Sequence, residues 1–216
     1  MAPSVDGRIV TRNWDVKRSV SEEYERTAKT FDADAWIIGR VSMEPYAGKA
    51  TVPRNARVRI SRKDFIARRD AKSYAIAIDP SGKLTWKSSS IDDDHVITVL
   101  TERVSSAYLA FLQSKGVSYL FGGKSRIDLK RVVVKLAAEF GIRTLLLEGG
   151  GKINGSFLAA DLIDELSLLI APVADGSTGT PSLFDSEQGA ARNLKLIFAQ
   201  TLKDDIVWLR YSVRRR

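Results

Sequence analysis

Arg143-Thr-Leu-Leu-Leu-Glu148-Gly-Gly-Gly-Lys152-Ile-Asn-Gly155 decides how the rest of the chain is read. Leu145, Leu146 and Leu147 form an apolar run without a polar break, which suits a strand covered on both faces. Gly149, Gly150 and Gly151 lack a Cβ, so the backbone there can turn sharply and lie close to a ligand. A helix expected over Lys152–Ala159 would point its first N–H groups back at that turn, an arrangement that binds anions and phosphates above all. Glu148 would project into the same crevice, where open α/β sheets hold their ligands. A plain strand-to-helix turn needs no ligand, but three consecutive glycines cost chain entropy, so the ligand reading is preferred.

Two better-known glycine motifs do not fit. A dinucleotide fingerprint starting at Gly149 needs glycine where Asn154 stands. A P-loop needs Gly-Lys-Ser/Thr, and Gly151-Lys152 is followed by Ile153. The second candidate, Gly123-Lys124-Ser125, has Ser118 where its first glycine belongs. The stretch is therefore a phosphate cradle of another kind.

The chain of 216 residues suits one domain with a sizeable core. It has no cysteine, which excludes disulfides and thiolate metal sites, and His95 is its one histidine. A zinc site or a serine–histidine triad would rest on that residue alone. No apolar stretch is long enough to cross a membrane, and no signal-peptide pattern opens the chain, so a cytoplasmic protein is expected. The net charge of +8 is uneven. Nine Lys/Arg and two Asp lie between Lys49 and Lys72, and the chain ends Arg214-Arg215-Arg216. A small anionic ligand ranks first as the explanation, a solvated basic loop second and nucleic acid third. Phe65 is the one aromatic of the basic segment, so no base-stacking platform is evident.

Around the central stretch, strands and helices alternate. Ser19–Thr30 reads as a helix capped by Ser21. Strands are expected at 35–38, 74–78, 95–100 and 117–121, with Asp79-Pro80-Ser81-Gly82 a strong turn. Ser105 or Ser106 can cap a helix through Leu112, and 128–140 carries apolar residues at helical spacing. Strand, helix, strand in short order implies parallel pairing with right-handed crossovers. A strand over Glu165–Val173 follows, and 193–202 and 206–213 read as an antiparallel hairpin at the sheet edge. The expected fold class is α/β: a mixed, mostly parallel sheet with helices on both faces and a C-terminal antiparallel hairpin. Trp36 is expected in the core, and the run Asp92-Asp93-Asp94 before His95 is expected to be an exposed loop.

Several pieces, in order, resemble a known family: Ser4-Val5-Asp6-Gly7-Arg8-Ile9, Ile37-Ile38-Gly39-Arg40, Leu147-Glu148-Gly149-Gly150-Gly151 with Phe157-Leu158, and Leu162-Ile163-Asp164-Glu165-Leu166. Together they resemble the pyrimidine reductase domain of riboflavin biosynthesis, whose fold is dihydrofolate-reductase-like. The resemblance spans nearly the whole chain and implies a single reductase-like domain over 1–216. It implies NADPH as hydride donor and a small phosphorylated heterocycle, a ribosylaminopyrimidine phosphate, as acceptor, with hydride reaching ribose C1′ to give a ribityl chain. Such chemistry needs positioning, a shielded pocket and a proton source, so the lack of cysteine does not count against it.

Carried over residue by residue, Gly149, Gly150 and Gly151 match the pyrophosphate-binding turn, and Lys152 and Ile153 supply the helix start. Gly39 and Arg40 match a turn that also faces the cofactor. Ser42 stands where many relatives have threonine, and its hydroxyl can bond a phosphate. Asp6 and Glu148 match positions that look toward the substrate and are the candidate catalytic residues. Arg8 stands where lysine is also common; its planar fork can grip a phosphate in two places. The segment Lys49–Arg62 is the candidate for the substrate phosphate or the 2′-phosphate of NADPH, with Arg54, Arg57 and Arg59 not distinguished from one another. The resemblance also implies a homodimer. In relatives a full apolar strand precedes the Ser-x-Asp-Gly motif, whereas here Met1-Ala2-Pro3 do, so the first strand is expected to be truncated. No deaminase half is expected, since its zinc motif needs cysteine. A related reductase of a pterin or another carbonyl or imine compound would carry the same residues, as would a nucleotide-binding module without turnover.

Overall fold

The structure, a computed structural model, describes residues 1–49, 52, 59–186, 189 and 191–214. In chain order its main elements are α1 (Lys17–Ala28), β1 (Ala35–Gly39), α2 (Arg40–Met43), β2 (Tyr74–Ile78), β3 (Ser90–Ile91), β4 (Asp94–Thr101), α3 (Ser106–Ser114) and β5 (Ser118–Gly123). They continue with α4 (Leu129–Phe140), β6 (Leu145–Leu147), α5 (Gly151–Ala159), β7 (Glu165–Ile170), β8 (Leu194–Thr201) and β9 (Val207–Val213). The chain divides into two compact units, Ala33–Leu147 and Met1–Asp32 with Glu148–Arg216.

The unit Ala33–Leu147 holds the parallel sheet, in the order β5–β4–β2–β1–β6. Apart from the all-leucine β6, these strands are rich in β-branched and aromatic residues, and the connections carry helices, so parallel pairing follows. Ile37, Ile76, Ile97 and Leu120 are fully buried in it. A core of Trp86, Leu100, Leu109, Leu112 and Tyr119 builds up around α3. Ser105 caps α3 by accepting from the Tyr108 amide, and Asp128 caps α4 by accepting from Arg131. Val132, Leu136 and Phe140 form the buried stripe of α4, which ends at Gly141 in the left-handed region, φ +70°.

Three expectations are corrected here. Leu145, Leu146 and Leu147 are half-buried, because β6 is the edge strand of this sheet and, among the described residues, pairs with β1 alone. Trp36 is also half-buried, while Trp14, Trp86 and Trp208 are buried. Trp36 directs its indole N–H to Asp94 at 2.6 Å, and that polar end keeps the ring near solvent. The acidic run is not a loop throughout. Asp92, at φ +48°, turns a small hairpin in which β3 pairs with β4, and Asp94 already lies in β4.

The other unit holds a three-stranded antiparallel sheet in the order β7–β9–β8. The C-terminal hairpin forms as expected, but it joins β7 in a sheet of its own rather than edging the parallel one. Trp14, Val20, Leu169, Ile206 and Trp208 make its core. Val20 explains why α1 begins at Lys17 rather than at a Ser21 cap. Its first turn is anchored by burial of Val20, with Val16 packed alongside, and no side chain caps it. Met1–Val5 runs along β7, with Leu169 N–H bonded to Met1 O at 2.9 Å, Ala171 N–H to Pro3 O at 2.8 Å and Val5 N–H to Val173 O at 2.9 Å.

Candidate active site

In the unit Ala33–Leu147 the chain steps outward from β1 to β2, β4 and β5 and then returns to the far side of β1 with β6. The strand order therefore reverses between β1 and β6, and the crevice at such a switch point is where open α/β sheets bind ligands. Gly39 and Leu147 stand at the carboxyl ends of those two strands. Gly39 is extended and starts the four-residue α2, which carries Arg40 and an exposed Ser42. Arg40 pairs with Glu44.

One residue past the end of β2 is Asp79, which the sequence presents only as a turn residue. It is fully buried. Oδ2 accepts from the amides of Lys83 at 2.6 Å and Leu84 at 2.8 Å, while Oδ1 has no partner among the described residues. Burial pushes its carboxyl above the usual carboxylate range, against the two amides and the field of Arg40. Burial also pushes the Tyr108 hydroxyl up, helped by Asp79; it donates to Leu84 O at 2.7 Å. Asp79 was hidden because a buried acid and an exposed turn aspartate look the same before Pro-Ser-Gly. Arg54 and Arg57 lie outside the described residues.

The other unit carries the Asp6–Arg8 segment and the glycine turn. Gly7, at φ +82°, closes a tight turn in which Ser4 Oγ donates to Asp6 at 2.7 Å and accepts from the Arg8 amide at 2.9 Å. Asp6 also accepts from the amides of Asp175 and Gly176, each at 2.9 Å. The Ser4 hydroxyl first, and then these amides, hold its carboxyl well below the usual carboxylate range. Asp6 is thus a fixed negative charge near neutral pH, and it ties Asp175–Gly176 to the Ser4–Arg8 turn. Arg8 donates from Nη1 to Thr180 O at 3.0 Å, and its buried Nε has no acceptor among the described residues.

At the glycine turn, Gly150 caps α5 in an extended conformation, the Gly149–Gly150 peptide is cis, and Gly149 has φ +105°. The helix begins at Gly151, one residue earlier than its pattern suggests. A Cβ on Gly149 would meet the Met1 side chain at 2.9 Å; one on Gly151 would meet Ser182 O at 2.3 Å and Asp185 Oδ2 at 2.5 Å. These glycines are bare because neighbouring chain fills the space. The amides of Gly151 and Lys152 have no backbone acceptor among the described residues, as expected for the first turn of a helix. Lys152 is exposed and Ile153 half-buried. Asn154, one turn in, is buried; Nδ2 donates to Leu183 O at 2.9 Å and Oδ1 has no partner among the described residues. Glu148 is half-buried, and its charge partly offsets the burial that lowers the Met1 amine to about 6.

Within this unit the structure thus brings together Asp6, Arg8 and the glycine turn around the segment 180–185. Nothing in residue type or spacing singles out Ser182, Asp185 or Asn154: Asp185 carries no signal beyond its place in a polar loop, and Asn154 stands in the sequence only as a break in another glycine motif. Among the described residues, no group of three or more metal-ligating side chains occurs, and no helix is long and apolar enough to cross a membrane.

Residues 1–208 match the family model described as the RibD C-terminal domain. The chain belongs to that family. A relative from Methanothermobacter thermautotrophicus, named 2,5-diamino-6-ribosylamino-4(3H)-pyrimidinone 5′-phosphate reductase, is 33% identical over 104 residues, covering 46% of this chain and 47% of the relative. One of the same name from Archaeoglobus fulgidus is 23% identical over 190 residues, 87% of this chain and 84% of the relative. The alignment thus spans about half the length of the first relative and most of the second. Among solved structures, a pyrimidine reductase-like protein from Corynebacterium diphtheriae superposes with a TM-score of 0.71 at 19% identity, covering 100% of this chain and 90% of that one. RibD from Acinetobacter baumannii gives 0.70 at 19% identity, covering 100% of this chain and 57% of that one. At that identity the superpositions show the fold: α/β, with a mostly parallel sheet and a separate antiparallel one.

Proposed function

We propose that this chain is an NADPH-dependent reductase of a ribosylaminopyrimidine phosphate, delivering hydride to ribose C1′ to give a ribityl product. The observation that carries it is the glycine turn of a RibD-family chain at the start of α5, where the Gly151 and Lys152 amides have no backbone acceptor among the described residues. That turn fits a dinucleotide pyrophosphate. The proposed cofactor residues are Gly149, Gly150, Gly151, Lys152 and Ile153, together with Gly39, Arg40 and Ser42. NADPH, when bound, supplies the hydride; the residues here bind and orient.

Arg8 is the proposed phosphate ligand of the acceptor, since its buried Nε has no acceptor among the described residues. Asp6 is held ionised, so its role is to fix the Arg8 turn and present negative charge, not to donate a proton. Glu148 is the proposed residue nearer the reacting sugar. Arg54 and Arg57 remain proposed phosphate contacts. We further propose a cytoplasmic homodimer. Among the described residues no strand pairs with the outer edge of β8, and Leu194, Leu196 and Ile197 on it are exposed, which suits strand pairing with a second copy.

The test is turnover. The protein, NADPH and 2,5-diamino-6-ribosylamino-4(3H)-pyrimidinone 5′-phosphate should give loss of nicotinamide absorbance and a product heavier by two hydrogens. Turnover of a pterin but not of this compound would move the assignment to a related reductase. NADPH binding without turnover of any acceptor would leave a binding module.

A further inference from the structure

Residues Thr180–Asp185 form a strap that is hydrogen-bonded along both edges. On one edge Thr180 O accepts from Arg8 Nη1 at 3.0 Å, Ile9 N–H reaches Pro181 O at 3.3 Å, and Leu183 N–H reaches Gly7 O at 3.1 Å. On the other edge Leu183 O accepts from Asn154 Nδ2 at 2.9 Å, and Asp185 N–H reaches Gly151 O at 3.0 Å. The strap is braced from within by Asp185. Its Oδ1 accepts from Ser182 Oγ at 2.6 Å, and its carboxylate faces the Ser182 amide at 3.3 Å. The same carboxylate lies against Gly151, and the Asp185 carbonyl against Gly155, at 2.5 and 2.4 Å from where a Cβ would be. Each edge also leaves one buried polar atom unpartnered among the described residues, the donor Arg8 Nε and the acceptor Asn154 Oδ1.

We infer that this strap couples two ligand sites, an anion held by Arg8 and a dinucleotide phosphate held at the glycine turn, and that Asp185 is the positioning residue that sets their spacing. The identity of the two ligands rests on the reductase reading above. Leu183 bonds to Gly7 through its amide and to Asn154 through its carbonyl, so the strap cannot yield on one edge without moving the other. A ligand that orders the strap from one side lowers the ordering cost for the other, and such coupling is reciprocal. Asp185 also places a negative charge beside the first turn of α5. A phosphate arriving there must use the amides that this carboxylate leaves open, which makes the seating of Asp185 a condition of cofactor placement.

The experiment titrates NADPH by nicotinamide fluorescence with and without saturating ribose 5-phosphate, on wild type, Asp185→Ala, Ser182→Ala and Arg192→Ala. In wild type the sugar phosphate should tighten NADPH by about fivefold or more, within the usual range of coupling between sites. Asp185→Ala should still bind each ligand alone but bring that ratio close to one. Ser182→Ala removes only a hydroxyl and should weaken the coupling in the same direction, and it carries the test if Asp185→Ala does not fold. Arg192→Ala breaks the Arg192–Asp161 pair at 2.6 Å in the same unit, away from the strap, and should keep the wild-type ratio. Coupling that survives both strap variants, coupling absent from wild type, or coupling lost equally in Arg192→Ala would each overturn the inference while leaving the reductase reading standing. Wild type that binds no NADPH would bring down both.

Discussion

Replacing Gly155 by alanine should destabilise the protein, although a glycine-to-alanine change inside a helix ordinarily does the opposite. On propensity alone the exchange gains about 0.5–1 kcal/mol. Here the new Cβ would lie 2.4 Å from the Asp185 carbonyl oxygen, whereas ordinary contact begins at 3.4 Å, so the strap must retreat by 1.0 Å (3.4 − 2.4). A retreat of that size breaks the 3.0 Å bond from Asp185 N–H to Gly151 O and the 2.9 Å bond from Asn154 to Leu183 O. Each such bond contributes about 0.5–1.5 kcal/mol, and a forced fit of one methyl costs about 1–3 kcal/mol in all. After subtracting the helix gain, a net loss of about 1–2 kcal/mol remains. For a chain of this size that lowers Tm by roughly 2–8 °C, measurable by thermal circular dichroism or differential scanning fluorimetry. A rise in Tm by a few degrees would show that helix propensity prevails and that the strap is not seated on α5.

Three further outcomes follow from the site and the core. Lys152→Glu puts an acid in the first turn of α5, which favours the helix by about 0.3–1 kcal/mol, so the fold should hold while NADPH affinity in a fluorescence titration drops at least about tenfold; unchanged affinity would remove Lys152 from the cofactor site. Asp79→Ala should cost roughly 1–4 kcal/mol in denaturant unfolding, because the buried Leu84 amide and the part-buried Lys83 amide lose their acceptor, whereas Asp79→Asn should cost far less since burial already disfavours the charge; equal losses would refute this. His95 is kept neutral by burial, with the Arg68 charge adding to the effect, so its folded pKa lies below its ordinary value. The unfolded chain then binds more protons, and stability should fall as pH drops from about 6.5 through the folded pKa. His95→Gln, which keeps a partner for Ser118, should flatten that slope; an unchanged slope would assign it to other groups.

The parallel sheet was legible because its strands are short apolar runs bounded by turn residues, and Tyr74–Ile78 came out at its observed limits. A cap at Ser105 or Ser106 was legible from residue type, and Ser105 is the one used, whereas Asp128, read as the first residue of its helix, is its cap. What the sequence hid is tertiary. Val20 pulled the start of α1 past its apparent cap, and the carbonyls of β9 drew β7 into a second sheet. At the site, Gly149–Gly151 announced themselves by residue type, and Arg8 through the family resemblance. Asp185 and Asn154 did not, since their importance lies in what a loop about thirty residues downstream touches, and no spacing rule connects Leu183 to Asn154.

The central claim is hydride delivery to a sugar carbon, and NADPH carrying deuterium at the transferable position of its nicotinamide tests it most directly. The protein, the labelled cofactor and the ribosylaminopyrimidine phosphate should yield a ribityl product with one deuterium at C1′, read by mass spectrometry and NMR. A product labelled elsewhere, or labelled cofactor recovered intact while wild type is folded and saturated with acceptor, would contradict it.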